Sequence, residues 1–169
     1  MTGFKGLARL LPLILLVAAF DPLGIVKTSS VISDPQGNLL PKRVPGAVVD
    51  YTTTISNPNG LFTPVNGVTF ADAIPANTVL RVADLGLLNP GPVAFTEGLI
   101  PSLLSYSFSS LGSTSDRLDF SRDNGATWTY TPVADANGYD SQVTNIRVRL
   151  GGNQIAGSSF SIRFRVRVK

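Results

Sequence analysis

The sequence predicts an all-β protein, an antiparallel β-sandwich built from short strands. Three observations support this fold class. Apolar and polar residues alternate with a period of two in several segments, and clusters of turn residues separate these segments. After residue 20, no window of about 11 residues shows an amphipathic helical pattern. The 16 glycines and 12 prolines suit many turns, and 169 residues suit one domain with a substantial core.

The composition excludes several function classes. The chain has no cysteine and no histidine, so it forms no disulfide and offers no Cys/His zinc site. Catalytic triads and dyads that use His or Cys are excluded for the same reason. Charged residues make up 15% of the chain, below the roughly 25% that is typical of soluble domains.

The N-terminus has the pattern of a secretory signal peptide. Lys5 and Arg9 precede the uncharged run Leu10–Phe20, which ends in small residues followed by an aromatic one. We therefore expect a cleaved signal peptide of residues 1–19, a mature domain of residues 20–169 and secretion to the extracellular cell surface of a prokaryote.

The alternative for this segment is a retained N-terminal helix, as in pilin-like proteins. A membrane-spanning helix needs about 20 apolar residues. The run here has 11 residues and contains Pro12. We therefore expect no stable membrane span after cleavage.

Charge is distributed unevenly along the mature chain. Without Lys5 and Arg9 the chain has 12 basic and 11 acidic residues. Residues 20–141 contain 6 basic and 11 acidic side chains, whereas residues 142–169 contain six basic side chains and no acidic one. The net positive charge is thus confined to one end of the chain, which argues against a nucleic-acid-binding protein.

The first expected strand, Gly24–Ile32, is also a candidate for assembly. It is apolar and β-branched and follows a flexible Asp21-Pro22. Such a segment can pair with its own sheet or complete the sheet of a neighbouring subunit. Its candidate assembly residues are Leu23, Ile25, Val26, Val31 and Ile32.

The pattern of the central part of the chain predicts a series of short strands separated by turns. Val48–Ser56 is the clearest of these, because Pro45-Gly46 precedes it and Asn57-Pro58-Asn59-Gly60 follows it. The further expected strands are Gly67–Ala71, Thr78–Val82, Val93–Thr96, Leu104–Phe108, Arg117–Ser121 and Thr127–Thr131. The apolar stretch Leu85–Pro101 has two interpretations: a crossover packed on a sheet end, or an exposed patch for a partner.

The last two expected strands carry the basic residues. Gln142–Leu150 has a break in its alternation that predicts a bulge or a late start, and Gly151-Gly152-Asn153 predicts a hairpin turn. Ser159–Lys169 alternates strictly, so five apolar side chains face inward: Phe160, Ile162, Phe164, Val166 and Val168. Its other face is a candidate basic docking face made of Arg163, Arg165, Arg167 and Lys169. This face either is solvated and blocks edge aggregation, or meets a neighbouring subunit or an anionic envelope polymer.

Strand and turn motifs give the chain a family resemblance. Pro45–Asn57 has a Pro-Gly turn, a Tyr-Thr-rich strand and an Asn-rich turn, and Val68–Pro75 follows with Val-Thr-Phe-Ala-Asp-Ala-Ile-Pro. With Ser33-Asp34-Pro35 and Tyr130–Asp135, these motifs resemble the extracellular conserved repeat domain family of bacteria and archaea, the family of unknown function numbered eleven. The resemblance covers most of residues 25–169. It implies an immunoglobulin-like sandwich on the cell surface, with no assigned reaction.

Two loop motifs have both a structural and a functional interpretation. Ser121–Trp128 matches the Asp-box pattern of sialidases and other propellers, and a single copy predicts a structural hairpin with Trp128 in the core. Asp135–Asp140 offers three oxygen ligands to calcium, but it lacks the EF-hand spacing, so an Asx-rich turn is the favoured interpretation.

The sequence offers little support for catalysis. Two carboxylates suffice for a glycosidase, but Asp50, Asp72, Asp116 and Asp119 are not accompanied by an evident aromatic sugar platform. We therefore expect no catalytic residues, no metal site and no cofactor. The sequence favours an exported structural or interaction module that self-associates, and the alternative is a carbohydrate-binding or adhesive surface module.

Overall fold

The computed structural model describes residues 21–60, 63–86 and 90–169. The predicted leader, residues 1–19, lies outside the described residues. The described part of the chain is all-β and contains no helix, as predicted. Its strands are β1 (Gly24–Ser33), β2 (Val48–Ser56), β3 (Val65–Asn66), β4 (Thr69–Ala73), β5 (Thr78–Arg81), β6 (Val93–Glu97), β7 (Leu118–Ser121), β8 (Tyr139–Asp140), β9 (Asn145–Arg149), β10 (Asn153–Gln154) and β11 (Ser159–Val168).

The larger sheet is organised around its longest central strand, β11. Its strand order is β1-β2-β11-β5-β8, and all of its pairings are antiparallel. One edge of β11 pairs with β2 from Ser159↔Ser56 to Arg167↔Val48. The other edge pairs first with β6 and then with β5. β1 is therefore an edge strand of this sheet.

The second sheet has three strands in the order β4-β9-β7, again antiparallel. β3 and β10 form a separate two-stranded pair. Side chains from the larger sheet and from the three-stranded second sheet belong to one hydrophobic cluster. This confirms the antiparallel all-β class, while the immunoglobulin-like topology stays a prediction.

Strict alternation along β11 places four side chains in the core. Phe160, Ile162, Phe164 and Val166 are at most 1% exposed. Val168, the fifth predicted inward residue, is half-buried because the strand ends there. From the second sheet, the side chains of β7 and β9 that are at most 2% exposed are Leu118, Phe120, Ile146 and Val148. The core thus lies between the two sheets.

Two expected strands do not form. Leu104–Phe108 and Thr127–Thr131 each make only an isolated bridge, Ser105↔Gly151 and Phe120↔Tyr130. The first follows Leu103, whose positive φ of 62° turns the backbone away from an extended path. The second starts inside a turn, because the Thr127 amide donates to Asp123 rather than to a neighbouring strand.

The expected hairpin at Gly151-Gly152-Asn153 is also wrong. β9 belongs to the second sheet and β11 to the first, so the chain between them crosses from one sheet to the other. Gly152 has a φ of +86°, a conformation that suits glycine at this crossing. The break in alternation after Val143 is a late strand start, since β9 begins at Asn145.

Candidate functional site

The candidate assembly strand lies at the edge of the larger sheet. β1 pairs with β2 from Gly24↔Ser56 to Ser33↔Val48, and its other edge pairs with no strand of the described residues. Ile25, Val26 and Ile32 are 68%, 62% and 45% exposed. Leu23 and Val31 are partly buried against the core. The strand therefore sits in its own sheet and presents large apolar side chains to solvent.

An apolar groove of about 260 Å³ separates β1 from β4, the edge strand of the second sheet. Leu23 and Ile25 line it from β1, and Phe70 lines it from β4. The core residues Ile55 and Phe160 also reach its surface. Two strand edges that lack a partner among the described residues thus border one apolar groove.

One ion pair connects the two edge strands across this groove. Lys27 Nζ lies 2.6 Å from Asp72 Oδ2, in a contact that lacks the alignment of a hydrogen bond. Lys27 is paired in register with Thr53, whose buried Oγ1 has no partner in the described part of the chain. Charged side chains that point inward on edge strands oppose unspecific pairing. The ion pair thus places one charged side chain on each of the two strands that border the groove.

Exposed leucines and isoleucines also occur in loops at the two ends of the larger sheet. Leu39 and Leu40, 97% and 83% exposed, lie in the loop between β1 and the start of β2. Leu99 and Ile100, 101% and 50% exposed, lie beside the start of β11, where the Ser159 amide donates to the Ile100 carbonyl. The start of β11 pairs with the end of β2, so the two clusters occupy opposite ends. Of the two interpretations of Leu85–Pro101, an exposed apolar patch fits Leu99 and Ile100 near its end.

The charge of the predicted basic docking face is partly compensated, since two carboxylates lie against three of its four cations. Arg163 Nη1 donates to Asp50 Oδ2 at 2.7 Å, and Arg165 donates twice to Asp50, at 2.6 and 2.9 Å. Arg167 contacts Asp135 at 3.4 Å and lies 4.3 Å from the ring centroid of Tyr139. The three arginines are half-buried rather than fully exposed, because they lie flat on the sheet against these partners.

The pKa of Asp50 is lowered by its pairing with Arg163 and Arg165. Burial acts to raise the pKa of Asp50, but hydrogen bonds from Arg165 and Arg163 outweigh it and hold the pKa below the ordinary 3.8. The pKa of Arg165 is raised in turn, chiefly by its hydrogen bond to Asp50. Lys169 is exposed and has no ion pair with any described residue.

A second arginine pair, on the other sheet, was missed by sequence reasoning. Arg147 and Arg149 of β9 both donate to Asp119 of β7, at 2.9 and 2.7 Å. Each sheet thus has one carboxylate held between two arginines that are two residues apart. The sequence contains one signal for these ion pairs. Asp50 and Asp119 each lie between two inward apolar or aromatic residues of a strand, so their carboxylates face outward, toward the arginines of the neighbouring strand.

The Asp-box motif forms a tight turn, but the predicted hairpin is reduced to the isolated bridge Phe120↔Tyr130 that flanks it. Ser121 Oγ and Asp123 accept the Gly125 and Thr127 amides, each at 2.9 Å, and Gly125 has a φ of +83°. Hydrogen bonds from the Ser121 and Thr127 hydroxyls lower the pKa of Asp123 to about 2. The prediction of a core tryptophan is wrong: Trp128 is half-buried and outside the hydrophobic cluster. Its ring instead stacks with the Arg147 guanidinium, 4.7 Å from the centroid.

The carboxylates considered for calcium are hydrogen-bond acceptors in a loop. Asp135 Oδ1 accepts the amides of Asn137 and Tyr139, at 2.8 and 2.9 Å. Asp140 accepts from the Tyr130 hydroxyl and from the Val133 and Gln142 amides. This agrees with an Asx-rich turn. Over residues 21–60, 63–86 and 90–169, no group of three His, Cys, Asp or Glu side chains could hold a metal ion.

The four carboxylates considered for glycosidase chemistry also have partners. Asp50 and Asp119 each bind two arginines, and Asp72 contacts Lys27. Asp116 accepts the amides of Ser109 and Leu118 at 2.9 and 3.2 Å. Each carboxylate is thus used in holding loops or strands together.

Three aspartates with lowered pKa values predict how the free energy of unfolding depends on pH. The pKa values of Asp34 and Asp123 lie at about 2, mainly because of side-chain hydrogen bonds, and that of Asp50 is also lowered from 3.8. A lowered pKa in the folded state gives stability that is complete above about pH 4 and is lost as the pH falls toward 2. With no histidine, we expect a flat profile between pH 5 and 8. Urea unfolding followed by circular dichroism checks this, and a midpoint that is unchanged from pH 5 to pH 2 would contradict it.

Comparison of the chain with family models, curated proteins and solved structures gives no match. Within the described ranges, no helix is long and apolar enough to cross a membrane.

Proposed function

We propose that this chain is an exported structural module of a prokaryotic cell surface that associates with its own copies into an oligomer or filament. The observation that carries this proposal is the edge strand β1, ten residues long, without proline and with exposed Ile25, Val26 and Ile32. Long apolar edge strands pair with other chains unless something blocks them. No catalytic activity forms part of the proposal.

Two geometries of association follow from the exposed surfaces. In the first, β1 pairs edge to edge with another copy or is exchanged between copies, and the groove beside β4 accepts part of the added strand. In the second, the apolar loops around Leu39 and Leu99 meet head to tail, since they lie at opposite ends. A heterologous contact of this kind continues into a filament when it does not close into a ring.

Features predicted from the sequence give this proposal its cellular context. The segment 1–19 has the pattern of a signal peptide, and the motifs in Pro45–Asn57 and Val68–Pro75 resemble an extracellular domain family. We propose an immunoglobulin-like sandwich on the same grounds, and the two antiparallel sheets that share one core are compatible with it.

The basic face contributes less to assembly than the sequence suggests. Asp50 neutralises part of the charge of Arg163 and Arg165, and Asp135 lies against Arg167. We therefore expect association to depend on backbone pairing and apolar contact more than on charge, and an anionic envelope polymer to be a weaker partner of this face.

One substitution tests the edge strand without disturbing the core. Val26→Lys places a charge on a side chain that is 62% exposed on β1, so the monomer should fold normally while edge pairing is blocked. We expect the mature wild-type chain to form large species in light scattering as its concentration rises, and Val26→Lys to remain monomeric.

Leu39→Lys is the matched control, because it adds the same charge to a fully exposed apolar residue of a loop. If Leu39→Lys prevents association and Val26→Lys does not, the head-to-tail geometry replaces the edge-strand geometry. A wild-type chain that stays monomeric at all concentrations would overturn the proposal.

A second candidate function, a carbohydrate-binding or adhesive surface module, is favoured by one observation. Trp128 and Tyr130 are half-buried and line an open cleft of mixed apolar and polar side chains beside β7. Aromatic rings beside polar groups are common in ligand sites.

A further inference from the structure

A cleft of about 310 Å³, lined by both apolar and polar side chains, lies beside β7 and is built from two loops. Residues 111–114 and 128–131 line it, together with residues 118–120 and Arg149. The loops approach each other closely, since a β-carbon added to Gly112 would lie 3.4 Å from the Thr131 methyl group. The cleft is therefore a defined feature between two loops rather than a flat surface.

The aromatic side chains of the cleft are held in place by cations. The Arg147 guanidinium lies 4.7 Å from the Trp128 ring centroid, and that of Arg122 lies 5.6 Å from the Tyr130 ring centroid. The Tyr130 hydroxyl donates to the buried Asp140 at 2.8 Å, which fixes the ring. Fixed aromatic rings lose little conformational entropy when a ligand packs on them.

Two arginines share one carboxylate at the cleft, which leaves an excess of one positive charge for an anionic ligand. Asp119 is the acidic residue that lines it, and both of its oxygens accept from arginines: Oδ2 from Arg147 and Arg149, and Oδ1 from Arg149 at 3.1 Å. Arg149, 41% exposed in its side chain, keeps Nη1 without a partner among the described residues. Asp116 and Asp140 are nearby but buried, and their oxygens accept other donors.

Hydroxyl groups complete the lining. Thr129 and Thr131 are exposed at the cleft, and Ser113 and Thr114 line it from the other loop. Short hydroxyl side chains donate and accept hydrogen bonds. Together with aromatic rings and the free Nη1 of Arg149, they match a ligand that is rich in hydroxyls and has one acidic group.

We propose that this cleft binds an acidic saccharide. One sugar ring packs against Trp128 and Tyr130, the hydroxyls of the sugar bond to the threonines, and the acidic group lies at the free N–H groups of Arg149. Nε and Nη2 of Arg149 are occupied by Asp119 and Asp116, so Nη1 donates the charge-assisted hydrogen bonds to a carboxylate or sulfate oxygen of the ligand. This inference rests on the second candidate function, the adhesive module, and is independent of self-association through β1.

Fluorescence titration is suited to test this binding, because Trp128 is the only tryptophan of the chain. The probes are trigalacturonic acid, its methyl ester, a sulfated trisaccharide and triglutamate, with calorimetry to confirm affinities. We expect the acid to bind at least tenfold more tightly than its methyl ester and than triglutamate. Tighter binding of the sulfated trisaccharide than of the carboxylated one would identify sulfate as the acidic group.

Three variants assign the binding to the cleft. Trp128→Ala, followed by calorimetry, and Arg149→Gln should each weaken binding at least tenfold. Arg43→Gln should leave it unchanged, although Arg43 also lies over an aromatic ring, that of Tyr51. Circular dichroism confirms that each variant is folded.

Two kinds of result would overturn the inference: a loss of ligand specificity and a loss of binding at the cleft. Equal affinity for triglutamate or for the methyl ester would show that charge alone, or no charge at all, drives the binding. Absence of saccharide binding by the folded wild-type chain, or full binding by both cleft variants, would remove the site. Neither result bears on whether β1 mediates association, which light scattering measures separately.

Discussion

Phe164→Ala should destabilise the protein by about 3–5 kcal/mol, the usual cost of removing a buried phenylalanine. Phe164 is 0% exposed and lies on β11 between Tyr51 of β2 and Val93 of β6. Its ring stacks on that of Tyr51 with centroids 5.6 Å apart. Because a domain is stable by only about 5–15 kcal/mol, a loss of this size should shift the urea midpoint strongly.

Leu99→Ala is the control for this substitution. Leu99 is as exposed as a residue can be, so removing its side chain should change the free energy of unfolding by less than about 0.5 kcal/mol. Equal effects of the two substitutions would mean that β11 is turned over, with its arginine face inward.

Arg165→Ala should have the second largest effect, although the sequence alone suggests a silent surface change. Arg165 donates two hydrogen bonds to Asp50, whose side chain is 8% exposed, and the substitution leaves this carboxylate with Arg163 alone. Breaking a buried ion pair costs about 3–5 kcal/mol, and the partial exposure of Arg165 reduces this to roughly 2–3 kcal/mol.

The pH dependence of this effect separates it from a loss of packing. Below the lowered pKa of Asp50 the carboxyl group is neutral, so the cost of Arg165→Ala should shrink as the pH falls below about 4. Arg122→Ala removes the same charge from an exposed arginine with no ion pair within the described residues and should be nearly silent. If the cost of Arg165→Ala is the same at pH 7 and pH 2.5, the role assigned to Asp50 is wrong.

The alternation of β11 and β2 predicts their inward residues because a half-buried strand has a period of two. The same rule fails for Leu104–Phe108 and Thr127–Thr131, where loop hydrogen bonds replace strand pairing. The alternation also does not determine which strands are neighbours. A glycine pair between two strand patterns therefore predicts a hairpin at Gly151-Gly152, although β9 and β11 lie in different sheets. Sheet membership depends on contacts between residues that are distant in sequence.

The same limit applies to the candidate sites. Local pattern predicts Leu23, Ile25, Val26, Val31 and Ile32 as candidates for assembly. It predicts neither which of them are exposed nor the groove beside them, since β4 lies more than 35 residues away in sequence. The arginines of β11 were identified as a basic face, whereas Asp50, their partner, lies 115 residues from Arg165. A core position is expected for Trp128 because tryptophan side chains are usually buried. Its stacking on Arg147 depends on tertiary structure, which the local pattern does not contain.

Hydrogen–deuterium exchange of the β1 amides tests most directly the proposal that β1 mediates association. The mature wild-type chain is compared at a dilute, monomeric concentration and at a concentration where light scattering shows large species. We predict that peptides covering Gly24–Ser33 exchange at least tenfold more slowly in the associated state, while peptides from the loops around Leu39 and Leu99 change little. Unchanged exchange in β1, or protection confined to those loops, would contradict association through the edge strand.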